Sequence, residues 1–206
     1  MKVYTFRFGI LHTNCHIIIN EHDKIAAVVD PSGNPQKIIE KASGKGCEIK
    51  YILLTHGLFD HIFALEELRA RTGAPVAIHT EDADCVTDPE ASYMKQFAGL
   101  DLCGKDAEII LTGGDTLEFG KDVIEVIHTP GHSRGSVSYK IGDNIFTGDT
   151  LFLGGIGRYD LRGGCYEDII DSLKKLASLP GDYNIYPGHG GKSSLDNERK
   201  NNIYLR

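Results

Sequence analysis

Tryptophan is absent from this 206-residue chain, methionine occurs only twice, and the five cysteines form no Cys-x-x-Cys pair. Cys15, Cys47, Cys85, Cys103 and Cys165 are odd in number and widely spaced, which excludes a disulfide framework and a cysteine zinc site. Reduced, mostly buried thiols in a cytoplasm are the expectation. Long apolar runs are missing too. None approaches the ~18 residues that span a membrane, and Met1–Phe6 alternates like a strand instead of forming the apolar core of a signal peptide. A basic cluster is also lacking. Lys and Arg number 22 against 29 Asp and Glu, a net charge of -7, and they are scattered, so the footprint of a nucleic-acid surface is not there. The expectation is a cytoplasmic protein with a small-molecule substrate and with neither membrane nor nucleic acid as partner. Its oligomeric state is not legible.

What remains is ordinary globular composition, 41% hydrophobic and 25% charged, in a length that suits one domain over residues 1–206. Residues 2–8, 15–20 and 25–29 read as strands, and His16-Ile17-Ile18-Ile19 is too apolar for an exposed one. His12 and His16 would share a strand face in structural roles, with His22 in a turn. Pro35 suits the first turn of a helix over 34–42. A strand over 50–55 leads to a helix over 61–72, which Gly73 and Pro75 stop. Val76–His79 is a short strand ending on a packed histidine. Residues 81–106 have weak periodicity and read as turns and loop, where a substrate loop would fit. From 107 onward short apolar runs alternate with glycine turns. A helix over 169–179, a strand over 184–186 and a helical tail follow. The order gives two roughly matched halves, and two sheets packed face to face with helices outside would bury the runs.

Four of these strand ends carry the same chemistry. They are Thr55-His56-Gly57-Leu58-Phe59-Asp60-His61, His128-Thr129-Pro130-Gly131-His132-Ser133, Thr147-Gly148-Asp149-Thr150 and Pro187-Gly188-His189-Gly190-Gly191. Histidine and carboxylate are the usual ligands of Zn and non-haem Fe. An isolated Asp60 could simply cap a helix. Four strand-end turns with His and Asp beside glycine are another matter, and they mark His132, Asp149 and His189 as ligands.

This ordered set resembles the metallo-β-lactamase superfamily, and within it the single-domain glyoxalase II-like hydrolases, over about residues 3 to 200. Gly155–Gly164 is similar to the family's Gly-Arg-x-Asp-Leu-x-Gly-Gly segment. The resemblance implies an α/β (α+β) fold, a four-layer αβ/βα sandwich of two mixed sheets with outer helices and metals at the rim. It places His56 and His132 on a first metal, Asp60, His61 and His189 on a second, and Asp149 between them. It casts His128, Arg158 and Asp160 as supports of the ligands or contacts to substrate. Where the family's H-x-H-x-D-H pattern has its middle histidine, this chain has Leu58, so the first site should be the weaker and the second the one filled first. One or two Zn per chain are expected, with Fe or Mn as the other candidates.

The implied activity is hydrolysis by metal-bound hydroxide, with Asp60 and Asp149 as the catalytic carboxylates, on a thioester such as an S-2-hydroxyacylglutathione. Ser133 follows His132 too closely to be its triad partner. Two other readings stay open. His56, His132 and Asp149 are two histidines and a carboxylate, the ligand set of non-haem iron oxygenases, and persulfide dioxygenases of this superfamily bind iron there. Alternatively Leu58 has left a metal-binding fold without turnover.

Overall fold

A computed structural model describes residues 1–101 and 104–206, so Cys103 lies outside the described residues. The first half runs β1 (Lys2–Phe8), β2 (Thr13–Asn20), β3 (Ile25–Val29), α1 (Pro35–Ser43), β4 (Glu48–Leu53), α2 (Phe59–Ile62), α3 (Leu65–Thr72) and β5 (Val76–His79). A 3-10 segment (Thr80–Val86) and a π-helical turn (Met94–Ala98) then lead to β6 (Ile109–Leu111). The second half runs β7 (Thr116–Phe119), β8 (Asp122–His128), β9 (Val137–Ile141), β10 (Asn144–Gly148), the ribbon of β11 (Leu151–Phe152) and β12 (Gly155–Ile156), α4 (Tyr166–Ala177), β13 (Asn184–Pro187), β14 (Ser193–Ser194) and α5 (Leu195–Asn201).

Each half makes a six-stranded mixed sheet, in the orders β1-β2-β3-β4-β5-β6 and β14-β13-β10-β9-β8-β7. The β3-β4, β4-β5, β5-β6 and β10-β13 pairs are parallel. Three apolar clusters make the layers. Ile18, Val29 and Leu53 of the first sheet meet Phe119, Tyr139 and Phe146 of the second. On the outer faces, Ile17, Ile19 and Ile52 pack under Ile38 and Leu68 of α1 and α3. Ile145 and Ile185 pack under Leu173 and Leu176 of α4. β2 is buried along its whole length, which explains the unbroken Ile17-Ile18-Ile19: alternate residues face different apolar layers.

Three expectations need correction. His12 does not share a strand face with His16. It sits in the hairpin turn after β1 with φ 54, while His16 is inside β2. The helix after the first motif is not continuous. It breaks at Phe63-Ala64, because the Ala64 amide donates outward to the Pro31 carbonyl at 2.9 Å. Finally, β4 ends at Leu53, and Leu54 and Thr55 continue extended toward the site.

Candidate metal centre

The ligand candidates hang from strand ends of both sheets. His56, Asp60 and His61 follow β4. His132 lies in the turn between β8 and β9, Asp149 follows β10, and His189 follows β13. Because β10 and β13 pair in parallel, their ends bring Asp149 and His189 side by side, and Gly188 N–H donates to the Gly148 carbonyl at 2.8 Å. Gly188 has to be glycine for another reason. A Cβ there would lie 2.2 Å from Asp149 Oδ1 and 2.7 Å from His61 Cε1.

The four imidazoles are all held the same way. Thr55 Oγ1 donates to Asp30 Oδ2 at 2.7 Å, so at 3.0 Å it must accept from His56 Nδ1–H. His61 Nδ1–H donates to Asp30 Oδ2 at 2.9 Å, His132 Nδ1–H to the Arg158 carbonyl at 2.7 Å, and His189 Nδ1–H to the Leu11 carbonyl at 3.2 Å. Each acceptor fixes the proton on Nδ1 and leaves the Nε2 lone pair facing the cluster. The rings of His56 lie 4.1 Å from His61 and 4.7 Å from His132 between centroids. Nε2 of His56, His61 and His132 and Oδ1 of Asp149 are buried with no hydrogen-bond partner in the protein.

The spacings decide what this arrangement fits. His61 Nε2 is 3.5 Å from Asp60 Oδ2 and 3.5 Å from Asp149 Oδ1. His132 Nε2 is 3.7 Å from Asp149 Oδ2, and His189 Nε2 is 3.4 Å from oxygens of both carboxylates. These contacts are long for hydrogen bonds. They suit neighbouring corners of a tetrahedron around an ion, which bonds of about 2.0–2.1 Å place about 3.4 Å apart. The ligand atoms of His56, His132 and Asp149 all lie within 4.8 Å of one another, as do those of Asp60, His61 and His189. Asp30, His56 and His61 meet the same limit. The Asp30 oxygens, however, are taken by Thr55 N, Thr55 Oγ1 and His61 Nδ1, so Asp30 anchors ligands and does not add one.

Electrostatics point the same way. Burial opposes charge on His61, yet Asp60, Asp149 and Asp30 outweigh it and raise its pKa to about 9. His189 rises to about 10 against burial, through the close approach and negative charge of Asp149 and Asp60. Burial works against ionisation of Asp60 and Asp149 as well, but the histidines hold both carboxyls well below the usual carboxylate range. His56 moves the other way. Burial and then His61 and His132 push it well below its usual value. The cluster thus draws positive charge, as protons or as a cation.

The remaining expected residues divide. Leu58 does stand at the site. It precedes α2, accepts from His61 N at 3.0 Å and lines the same cavity as His132 and Asp149, where it offers only methyl groups. Arg158 supports His132 with its carbonyl, while its exposed guanidinium pairs with both oxygens of Asp160 at 2.8 Å. Asp160 therefore meets the ligands only through Arg158. His128, expected behind the ligands, stands apart from them. Its ring stacks on His79 at 4.2 Å and its Nε2–H donates to the Arg134 carbonyl at 2.9 Å, bracing the turn that carries His132.

Sequence reading missed three supports. Asp30 is one. Thr13 is another, donating to Asp60 Oδ2 at 2.6 Å. The third is Asp82, which accepts from Gly57 N at 3.2 Å, Ser133 Oγ at 2.6 Å and Gly135 N at 2.8 Å, tying two ligand turns together. Ser133, excluded above as a triad partner, donates to Asp82. Asp30 had one visible signal, a carboxylate before Pro31 at a strand end, but nothing local marks Thr13 or Asp82.

A family model described as the metallo-beta-lactamase superfamily matches residues 8–189. The chain belongs to that superfamily. Among its relatives is the probable metallo-hydrolase YqgX of Bacillus subtilis, 36% identical over 208 residues, covering 100% of this chain and 98% of that protein. Hydroxyacylglutathione hydrolase GloC of Haemophilus influenzae is 32% identical, covering 93% of this chain and 92% of GloC. The crystal structure of BLEG-1 B3 metallo-beta-lactamase superposes with a TM-score of 0.93 at 34% identity, covering 99% of each chain. That of ETHE1 from Myxococcus xanthus gives 0.83 at 28%, covering 98% of this chain and 84% of ETHE1. The expected fold, two mixed sheets with outer helices, is the one these structures share. Among the described residues, no helix is long and apolar enough to cross a membrane.

Proposed function

We propose that the chain is a metal-dependent thioester hydrolase, with His56, His132 and Asp149 around one ion and Asp60, His61, His189 and Asp149 around a second. The observation that carries this is the common arrangement of the four imidazoles: each is anchored through Nδ1, Nε2 of His61 and His189 faces both Asp60 and Asp149, that of His132 faces Asp149, and that of His56 is buried without a partner beside them. Zinc is the first candidate, with Fe or Mn as the others. The kinship with YqgX and GloC supports hydrolysis, and the name of GloC makes an S-2-hydroxyacylglutathione the reference substrate.

When bound here, a zinc ion supplies acidification of a coordinated water, from a pKa of 15.7 to about 7, and polarisation of a carbonyl. The protein supplies placement. Asp60, held ionised and fixed by the Thr13 hydroxyl, accepts a hydrogen bond from the attacking water and orients it. Asp149 has one oxygen toward His61 and the other toward His132 and His189, so it joins the two ligand groups. Asp30 locks His61 and, through Thr55, His56. In the reaction water adds to the carbonyl carbon, the C–S bond breaks, and a carboxylate, a thiol and a proton leave.

Leu58 makes the two ligand groups unequal. The first retains two histidines and the shared carboxylate, the second three ligands of its own and the same carboxylate. Elemental analysis of protein purified without chelator or added metal tests the reading: about one zinc per chain with thioesterase activity supports it. Leu58→His should raise metal content toward two. A second reading has one specific support, the compact His56, His132 and Asp149 set together with the likeness to ETHE1. About one iron per chain, with oxygen uptake on a persulfide and no thioester hydrolysis, would replace the hydrolase with an iron dioxygenase. A full metal complement with neither activity would leave a binding fold without turnover.

A further inference from the structure

Two cavities join at the centre. One, of about 280 Å³, is lined by His132, Asp149, His189, Leu58, Leu161 and Arg158 among others. The other, of about 400 Å³, runs outward between the β1–β2 hairpin tip and the π-helical turn. Ile10, Leu11, Phe59, Asp60 and Phe97 line both, so they form one continuous groove. Its outer part adds Phe8 and Phe63. Several of these side chains are poorly covered for their type: Ile10 is 92% exposed, Phe97 53% and Phe63 49%. Phe97 stacks on Phe59 with centroids 5.6 Å apart, so the groove has an aromatic wall.

The groove is also poor in cations. Apart from the ligand histidines, the one cationic side chain lining it among the described residues is Arg158, already bound by both oxygens of Asp160. A thioester with several anionic groups in the groove would meet one cation, Arg158, which already pairs with Asp160. One whose acyl arm is a hydrocarbon would bury it against Ile10, Phe59, Phe63 and Phe97 while its carbonyl reaches Asp60 and Asp149. We infer that the substrate is a thioester with an apolar acyl arm of several carbons, seated between the β1–β2 hairpin tip and the π-helical turn. This rests on the thioesterase reading, and it makes Ile10 and Phe97 specificity-determining residues.

The test uses the zinc-loaded enzyme and N-acetylcysteamine thioesters of acetate, butyrate, hexanoate and octanoate, beside S-lactoylglutathione. Because each buried methylene contributes ~0.8 kcal/mol, kcat/KM should rise about fourfold per methylene until the groove is full. Phe97→Ala, and Ile10→Ser at the exposed tip, should each lower the ratio of hexanoyl to acetyl kcat/KM about tenfold. A flat or falling series, or lactoylglutathione as the best substrate, overturns the inference and leaves the thioesterase reading standing. No hydrolysis of any thioester overturns that reading instead. Calorimetry with the hexanamide in which nitrogen replaces the thioester sulfur then decides the groove. Binding that Phe97→Ala weakens supports an apolar-chain site, and no binding overturns it.

Discussion

Asp30 shows how a single residue acts at a distance from the chemistry. It takes φ 53, uncommon for a residue with a side chain, and its two oxygens receive Thr55 N, Thr55 Oγ1 and His61 Nδ1. An asparagine keeps the shape but offers one acceptor oxygen and no charge. Asp30→Asn should therefore weaken zinc binding about 10- to 100-fold, read by competition with a chromogenic chelator, while the circular dichroism spectrum stays native. The cluster of candidate ligands was legible because each sits beside a glycine or another candidate in a short strand-end motif, and the fold brings their side chains together. The supports were not, because Asp30 lies 31 positions from His61 and Thr13 lies 47 from Asp60. Only the folded sheet brings such pairs together. The same limit hides how His128 acts: its ring turns to His79, and its Nε2–H braces the turn that carries His132 through the Arg134 carbonyl.

Among the elements, the strands were read well because burial on both faces leaves an apolar run in β2, β3 and β5, burial on one face leaves an alternating run in β1 and β8, and turns bound them. The ribbon β11–β12 and the short β14 were missed, since two-residue strands carry no period. The helix over 61–72 was read as whole because its break has no Gly or Pro; the cause is a tertiary bond from Ala64 to Pro31. The parallel neighbours β10 and β13 bear a close approach in the centre. Gly188→Ala would push a methyl into Asp149 and His61. A displacement on the order of 1 Å costs about 100-fold in rate, so this variant should lose at least that much thioesterase kcat/KM. Its metal content should fall as well, and both are measurable on one preparation.

At the scale of the whole molecule the centre joins the two sheets, since one supplies His56, Asp60 and His61 and the other His132, Asp149 and His189. Backbone bonds run beside it, from Val137 N to the Thr55 carbonyl at 2.8 Å and from Asn14 N to the Gly188 carbonyl at 2.7 Å. With free zinc about a thousandfold over its Kd, binding adds ~4 kcal/mol to stability, and chelation should lower Tm by roughly 8–16 °C. Acid should act through His16. Burial holds its pKa at about 4, below the usual histidine value of about 6.5, while Nε2–H donates to the Pro187 carbonyl and Nδ1 accepts from Thr5. The unfolded chain thus binds the proton first, and stability falls as pH drops from about 6.5 to about 4, by up to ~3 kcal/mol. Urea unfolding of the chelated protein should show this slope, and His16→Gln should reduce it, leaving the part that buried His56 contributes with the same sign.

The tip of the β1–β2 hairpin has two duties. The Leu11 carbonyl holds His189 Nδ1, and the Leu11 side chain lines the groove. Gly9 at φ 67 and His12 at φ 54 flank it. Reciprocity then follows from thermodynamics alone: an occupant that steadies the tip tightens the ion, and the ion tightens the occupant by the same factor. At a given chelator concentration a filled enzyme would keep more of its metal at equilibrium than an empty one, so an occupied groove would guard the cofactor as well as measure the substrate.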